Sequence, residues 1–266
     1  MKRACALAIA AAILGTGAAP PPSRLASYRA VYDVSLDRTS GAVLAARGRL
    51  AAEFRDTCDG WSTTQRLITD LTNAEGALNR NDFIVTAWES KDGRTMRFDV
   101  NFTTNGKTVE RERGAAAIGP DGSGAVTLLQ GKPPRFPLPR GTQFPTGQVL
   151  AVLRAARAGG VSLKHIVFEG GGKTDINLST AAIGRSLAGD ALASDRAADQ
   201  KGLLRNASSW PVLMSYFPLS TRAEVPDYEV ATHLFENGVS GSMSFIYPGY
   251  TLRVKLVRLE PLKGPC

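Results

Sequence analysis

Residues 28–69 read YRAVYDVSLDRTSGAVLAARGRLAAEFRDTCDGWSTTQRLIT, and their alternation decides the fold. Tyr28, Ala30, Tyr32, Val34 and Leu36 alternate with Arg29, Asp33, Ser35 and Asp37. An extended chain points successive side chains to opposite sides, so this period of two describes a strand with one buried and one wet face. Thr39-Ser40-Gly41 turns the chain, and Leu50, Ala52 and Phe54 then alternate with Arg49, Glu53 and Arg55. After a turn at Asp59-Gly60, Trp61, Thr63, Gln65, Leu67 and Thr69 repeat the pattern.

Working outward, the same signal recurs at Phe83 to Trp88, Thr95 to Phe102 and Lys107 to Arg113. Lys91-Asp92-Gly93 and Asn105-Gly106 separate these runs, and both dipeptides favour the tight turns of hairpins. Short strands at close turn spacing predict a mainly β protein built as an antiparallel meander. Lys132 to Thr146 is rich in proline and reads as an extended surface segment. A helix follows over residues 146–158, with Thr146 as its cap, Val149, Leu150, Val152, Leu153 and Ala156 on one face, and Gly159-Gly160 as its stop. Strands resume at Ser162 to Phe168, Thr174 to Ile183, Trp210 to Leu219, Tyr228 to Phe235, Met243 to Tyr247 and Leu252 to Leu259. Arg185 to Asn206 has weak patterning and reads as a loop or frayed helix. No composition break divides the chain, so residues 20–266 are expected to form a single domain.

Lys2 and Arg3, the uncharged apolar run Ala4 to Leu14, the small residues to Ala19 and the break at Pro20-Pro21-Pro22 have the order of a secretion signal, cut near residue 19. The run is shorter than the ~20 residues that span a bilayer, and no later segment is long and apolar enough. The expectation is export to a bacterial periplasm, with no transmembrane segment. The formal charge of +8 describes a basic soluble surface and admits an anionic envelope lipid as a partner. Nucleic acid is not expected, because no basic run with interleaved aromatics occurs. With Cys5 removed in the signal, Cys58 and Cys266 remain and admit one pairing, in a compartment where disulfides persist.

Nothing in the sequence assembles a catalytic or metal site. His165 and His233 each lie alone on a strand, without the neighbouring His, Cys or carboxylates that ligate a metal. Gly170-Gly171-Gly172-Lys173-Thr174 fails as a phosphate loop, since Val167 stands where the first glycine belongs. It reads as a hairpin turn. Gly122-Ser123-Gly124 and Ser240-Gly241-Ser242 are turns and not nucleophile elbows. Asp56 with Asp59, and Glu110 with Glu112, are carboxylate pairs that read as solvated strand and turn residues. No catalytic residue, metal or cofactor is expected.

Seven clusters in order carry more information than any one motif. They are Cys58-Asp59-Gly60-Trp61 with Gln65-Arg66; Trp88-Glu89-Ser90 with Asp92-Gly93; Leu138-Pro139 with Gly141-Thr142 and Phe144-Pro145-Thr146; Trp210-Pro211-Val212 with Tyr216-Phe217; Pro226 with Tyr228-Glu229-Val230; Asn237-Gly238-Val239; and terminal Cys266. This set resembles the cell-envelope integrity protein family EipB, from about Leu25 to Cys266. The resemblance implies a strongly bent, spiral-like antiparallel sheet forming an oblong, barrel-like body with one main helix. It implies a disulfide between Cys58 and Cys266. It also implies a non-enzymatic periplasmic role in envelope integrity, with a periplasmic tetratricopeptide-repeat protein as partner. The alternative is a lipid or lipoprotein carrier with an apolar cavity under the 146–158 helix.

Overall fold

The structure, a computed structural model, describes residues 24–187, 192–221 and 223–264. The expected signal segment and Cys266 lie outside the described residues.

Eight strands follow one another as a meander: β1 (Tyr28–Thr39), β2 (Val43–Asp56), β3 (Gly60–Asn73), β4 (Leu78–Ser90), β5 (Thr95–Thr104), β6 (Lys107–Ile118), β7 (Gly124–Gln130) and β8 (Arg135–Leu138). The two-residue strand β9 (Thr142–Gln143) leads into helix α1 (Pro145–Arg157). The chain continues through β10 (Ser162–Phe168), β11 (Ile176–Ile183), helix α2 (Ala193–Ala198), β12 (Ser209–Pro218), β13 (Tyr228–Phe235), β14 (Ser240–Tyr247) and β15 (Tyr250–Pro261). All fifteen strands belong to one sheet, in the order β8-β7-β6-β5-β4-β3-β2-β1-β15-β14-β13-β12-β11-β10-β9. Every pairing is antiparallel except that of β9 with β10.

The mainly β reading holds, and so does the bent, barrel-like architecture. Two local expectations are corrected, and one that offered a loop or a frayed helix is resolved. The proline-rich segment is extended as expected but does not stay on the surface: it forms β8 and β9 and buries Phe136, Leu138 and Thr142. Its prolines belong at an edge strand, where a missing N–H removes no ladder bond. The weak 185–206 stretch holds the short helix α2. Helix α1 starts one residue earlier than expected. Phe144 is its N-cap and Pro145 fills its first turn, where proline's missing N–H has no intrahelical partner to lose.

Alternation builds two surfaces. Inward, Ala30, Tyr32, Val34 and Leu50 pack with Leu252, Val254 and Leu256 around the β1–β15 joint. Outward, cross-strand ion pairs join neighbours, such as Arg49 to Asp33 at 3.0 Å and Arg66 to Asp82 at 2.7 Å. A lipid-facing barrel would present an apolar band there. The outside of this sheet is charged.

The ends of the sheet overlap. Strands β10 and β11 are covered on both faces. Leu163, Ala181 and Ile183 pack towards α1 and Trp210. Ile166, Phe168 and Ile176 pack towards Phe98, Phe136 and Leu138 of β5 and β8. Phe168 meets Phe98 and Phe136 edge-on, with centroids 5.4 and 6.0 Å away. Burial on the second face is what closes the coil.

Candidate functional site

Two polar assemblies lie inside the coil. The first seats α1. No acidic residue stands in its first turn and no local side chain caps it. Glu89 of β4, 3% exposed, supplies the missing acceptor. Its carboxylate accepts the Thr146 N–H at 3.0 Å and the Thr146 hydroxyl at 2.8 Å. It also accepts the Gly147 N–H. A negative group at a helix N-terminus meets unpaired N–H donors and the positive end of the helix dipole. Burial nevertheless dominates and pushes the Glu89 carboxyl up to about 7, against the downward pull of those hydrogen bonds. Thr146 is therefore a donor to a distant strand rather than the cap the sequence predicted. One turn on, Gln148 donates to Ser179 at 2.7 Å and accepts from the Tyr216 hydroxyl at 3.3 Å.

The second assembly sits where the sheet overlaps. Gly170, Gly171 and Gly172 form the tip between β10 and β11, pressed onto β5 and β6. A Cβ on Gly170 would lie 2.9 Å from the Met96 methyl, and one on Gly172 would lie 2.8 Å from a Glu112 oxygen. Gly171 has φ +127, and a Cβ there would fall 2.2 Å from an Asp175 oxygen. The hairpin reading of this triplet is right, and its glycines are demanded by contact as well as by the turn. Glu110 and Glu112 are not solvated strand residues, which corrects the expectation. Their ladder partners are Phe102 and Val100, whose side chains lie on the inward face. Carboxylate oxygens of Glu110, Glu112 and Asp175 lie within 4.8 Å of one another.

These acids are pushed towards the neutral form. Burial, then Glu110 and Asp175, raise Glu112 to about 7. Burial and Glu110 raise Asp175 to about 6. Glu169 accepts from the Tyr228 hydroxyl at 2.5 Å and from Asn177 at 2.7 Å, yet burial still raises it to about 7. Burial and mutual repulsion thus favour the protonated form of these carboxyls at the overlap.

The remaining residues singled out by sequence are structural. Asp56 pairs with Lys91 at 2.7 Å, and Asp59 accepts from the Thr57 hydroxyl. The Ser123 hydroxyl is bonded to Asp121, and that of Ser242 to Asp195. His165 lies on β10 with both ring nitrogens buried, and burial lowers its pKa. Cys58 occupies a turn at φ 73, its N–H bonded to Asp56. Gly60 must lie under the Trp88 indole, since a Cβ there would approach it to 2.5 Å.

A groove of about 790 Å³ opens beside the C-terminal end of α1, against Ala156, Val161, Ile183 and Trp210 together with Arg157 and Arg185. It lies at the end of the helix. The space directly under α1 is filled, with Val152 and Leu153 fully buried against Trp61 and Val212.

A charged exterior, an overlapping sheet and an interior occupied by the protein's own helix define a class: a barrel-like β protein closed by the contact of its two ends. The family profile described as EipB-like matches residues 19–263, and the chain belongs to that family. The cell envelope integrity protein EipB of Brucella abortus (strain 2308) is 29% identical over 256 residues, covering 94% of this chain and 89% of the relative. The crystal structure of a beta-barrel-like protein of domain of unknown function DUF1849 from Brucella abortus superposes with a TM-score of 0.81. It is 28% identical and covers 91% of this chain and 100% of that chain.

Proposed function

We propose that this chain is an exported, periplasmic, non-enzymatic protein that maintains cell-envelope integrity by docking a periplasmic tetratricopeptide-repeat partner. The observation that carries the reading is family membership, with a relative named for envelope integrity matching over 94% of the chain. The signal-like order of residues 1–19 supports export. A disulfide between Cys58 and Cys266 belongs to the same proposal, tying the tail to the turn between β2 and β3. Deletion in the host, with complementation, tests the role. The deletion strain is expected to become sensitive to detergent and cell-wall antibiotics, and crosslinked pull-down from periplasm is expected to recover a repeat protein. An unaltered deletion strain refutes the envelope role, and repeated recovery of no repeat protein refutes the partner.

The groove beside α1 supports a second reading, a carrier of an acyl chain with an anionic head. Its apolar wall suits the chain, and Arg157 and Arg185 suit the head. Native mass spectrometry of protein from its own host decides it. A reproducible lipid adduct supports the carrier, and a clean apo mass removes it.

A further inference from the structure

Four outward carboxylates are each shared by two arginines. Glu53 pairs with Arg29 and Arg55 at 2.6 and 2.5 Å. Asp70 pairs with Arg47 and Arg80 at 3.4 and 3.5 Å. Asp99 pairs with Arg111 and Arg113 at 3.2 and 3.9 Å. Asp37 pairs with Arg38 at 3.8 Å and with Arg253. The two charges do not lie at the same depth. Side-chain exposure is 16–34% for the four acids and 36–82% for the eight arginines. The acids form an inner layer and the guanidinium groups an outer one.

The pairs run from β15 across β1 to β6, seven neighbouring strands and about 30 Å along the curved sheet at ~4.8 Å per strand. Each guanidinium has five N–H donors; Arg29, Arg47, Arg55, Arg111 and Arg253 spend one or two on their carboxylate, and Arg38, Arg80 and Arg113 only approach theirs at 3.5–3.9 Å, so most donors are left for solvent. The acids below hold the forks in place, which reduces the rotamer freedom that docking would otherwise remove. All eight cations are arginine, whose planar fork matches phosphate oxygens in pairs.

We propose that this arginine layer docks the protein on a bilayer surface of anionic phospholipid, head-group phosphates accepting the spare guanidinium N–H groups. A protein partner would need an apolar centre to bury. The most exposed large apolar side chains on these strands, Leu44, Leu78 and Val109, fall within the first three residues of β2, β4 and β6 and so gather at one end of the sheet, while Val257, 38% exposed, stands apart from them along β15. The net charge of +8, or +6 once Lys2 and Arg3 leave with the signal, adds long-range attraction of the same sign. This inference goes beyond the repeat-partner reading and does not rest on it, since vesicles contain no protein.

The test is co-sedimentation with vesicles of phosphatidylglycerol mixed with phosphatidylcholine, and of phosphatidylcholine alone, at ~50 mM and ~300 mM salt. Wild type is expected to bind the anionic vesicles at low salt, lose binding at high salt, and ignore the neutral ones. R38Q/R47Q/R55Q/R111Q removes one arginine from each shared pair and leaves every carboxylate a partner. Its binding is expected to fall at least tenfold. K132Q/R135Q/K164Q/K201Q makes the same charge change elsewhere, away from the groove beside α1, and should stay within threefold of wild type. Should the first variant fail to fold, R38Q/R47Q and R55Q/R111Q carry the same comparison separately. Wild type that ignores anionic vesicles overturns the proposal, even if it binds an acidic protein. So does an equal loss in both four-residue variants, which would reduce the effect to net charge.

Discussion

Replacing Glu89 tests whether a buried carboxyl on β4 governs the seat of α1. Glu89→Ala removes the acceptor of two helix N–H groups and one hydroxyl. Stranded buried donors cost ~1–3 kcal/mol each, and a lost helix cap ~1 kcal/mol, so about 3 kcal/mol of stability should go. For a chain of this size that is roughly 6–12 °C in Tm. Glu89→Gln is the sharper probe, because the amide imitates the neutral acid. Burial raises the folded carboxyl from 4.5 to about 7. The folded protein therefore holds this proton more tightly than the unfolded chain. The associated stability is complete below pH 4.5 and is lost as pH rises towards 7. At 1.36 kcal/mol per pH unit the interval amounts to about 3 kcal/mol as an upper figure. Urea unfolding at pH 5 and pH 8 measures it. Glu89→Gln should lie within ~1 kcal/mol of wild type at pH 5 and be the more stable protein at pH 8. If the difference between wild type and Glu89→Gln is the same at both pH values, Glu89 does not titrate as derived. If Glu89→Ala melts with wild type, it does not hold the helix.

Gly171→Ala should destabilise by at least ~2 kcal/mol, because it combines positive φ with a contact on Asp175. Gly41→Ala, at φ +105 in open space, should cost only ~1 kcal/mol in the same thermal melts. Phe168→Ala deletes a fully buried ring with two aromatic partners. A loss of ~3–5 kcal/mol is expected, with limited proteolysis cutting first in the 131–141 segment as the overlap loosens. Cys58→Ser should lower Tm and raise protease sensitivity without abolishing the fold. Closing the 208 residues between positions 58 and 266 is worth up to roughly 5 kcal/mol by chain entropy, and non-reducing peptide mapping should recover the 58–266 link.

Much of this architecture was legible in the sequence because strands announce themselves locally. The alternation in residues 28–37 and the Asn105-Gly106 turn needed nothing from the rest of the chain. Helix α1 was legible for the same reason, through its apolar spacing and its glycine stop. Its cap was not legible. The local sequence offered Thr146, while the acceptor comes from Glu89, 57 residues earlier. The inward aim of Glu110 and Glu112 was not legible either. The Asn-Gly hairpin ties β6 to β5, and Met96, Phe98, Val100 and Phe102 mark the apolar face of β5. Carried straight across, that register sets Val109 and Arg111 opposite Phe102 and Val100 and leaves both glutamates outside; a bulge between Phe102 and Thr103 shifts β6 by one residue and turns them inward. What no periodicity carries is the second buried face of β10 and β11. Ile166, Phe168 and Ile176 fit an ordinary strand with apolar residues on both sides, and their partners lie in another turn of the coil.

The pairing of β1 with β15 has a consequence for how the chain is made. Tyr28 lies opposite Pro261, so the first strand and the last are neighbours in the middle of the sheet. Every other junction joins strands consecutive in sequence, and all but the parallel β9–β10 pair can zip as the later strand emerges beside the earlier one. The outer edge of β1 has no such option. From the moment it leaves the ribosome until the final dozen residues follow, its ladder of N–H and C=O groups stands open to any other extended chain. The oldest strand is the last to be covered, and for that interval the protein depends on whatever shields a nascent edge.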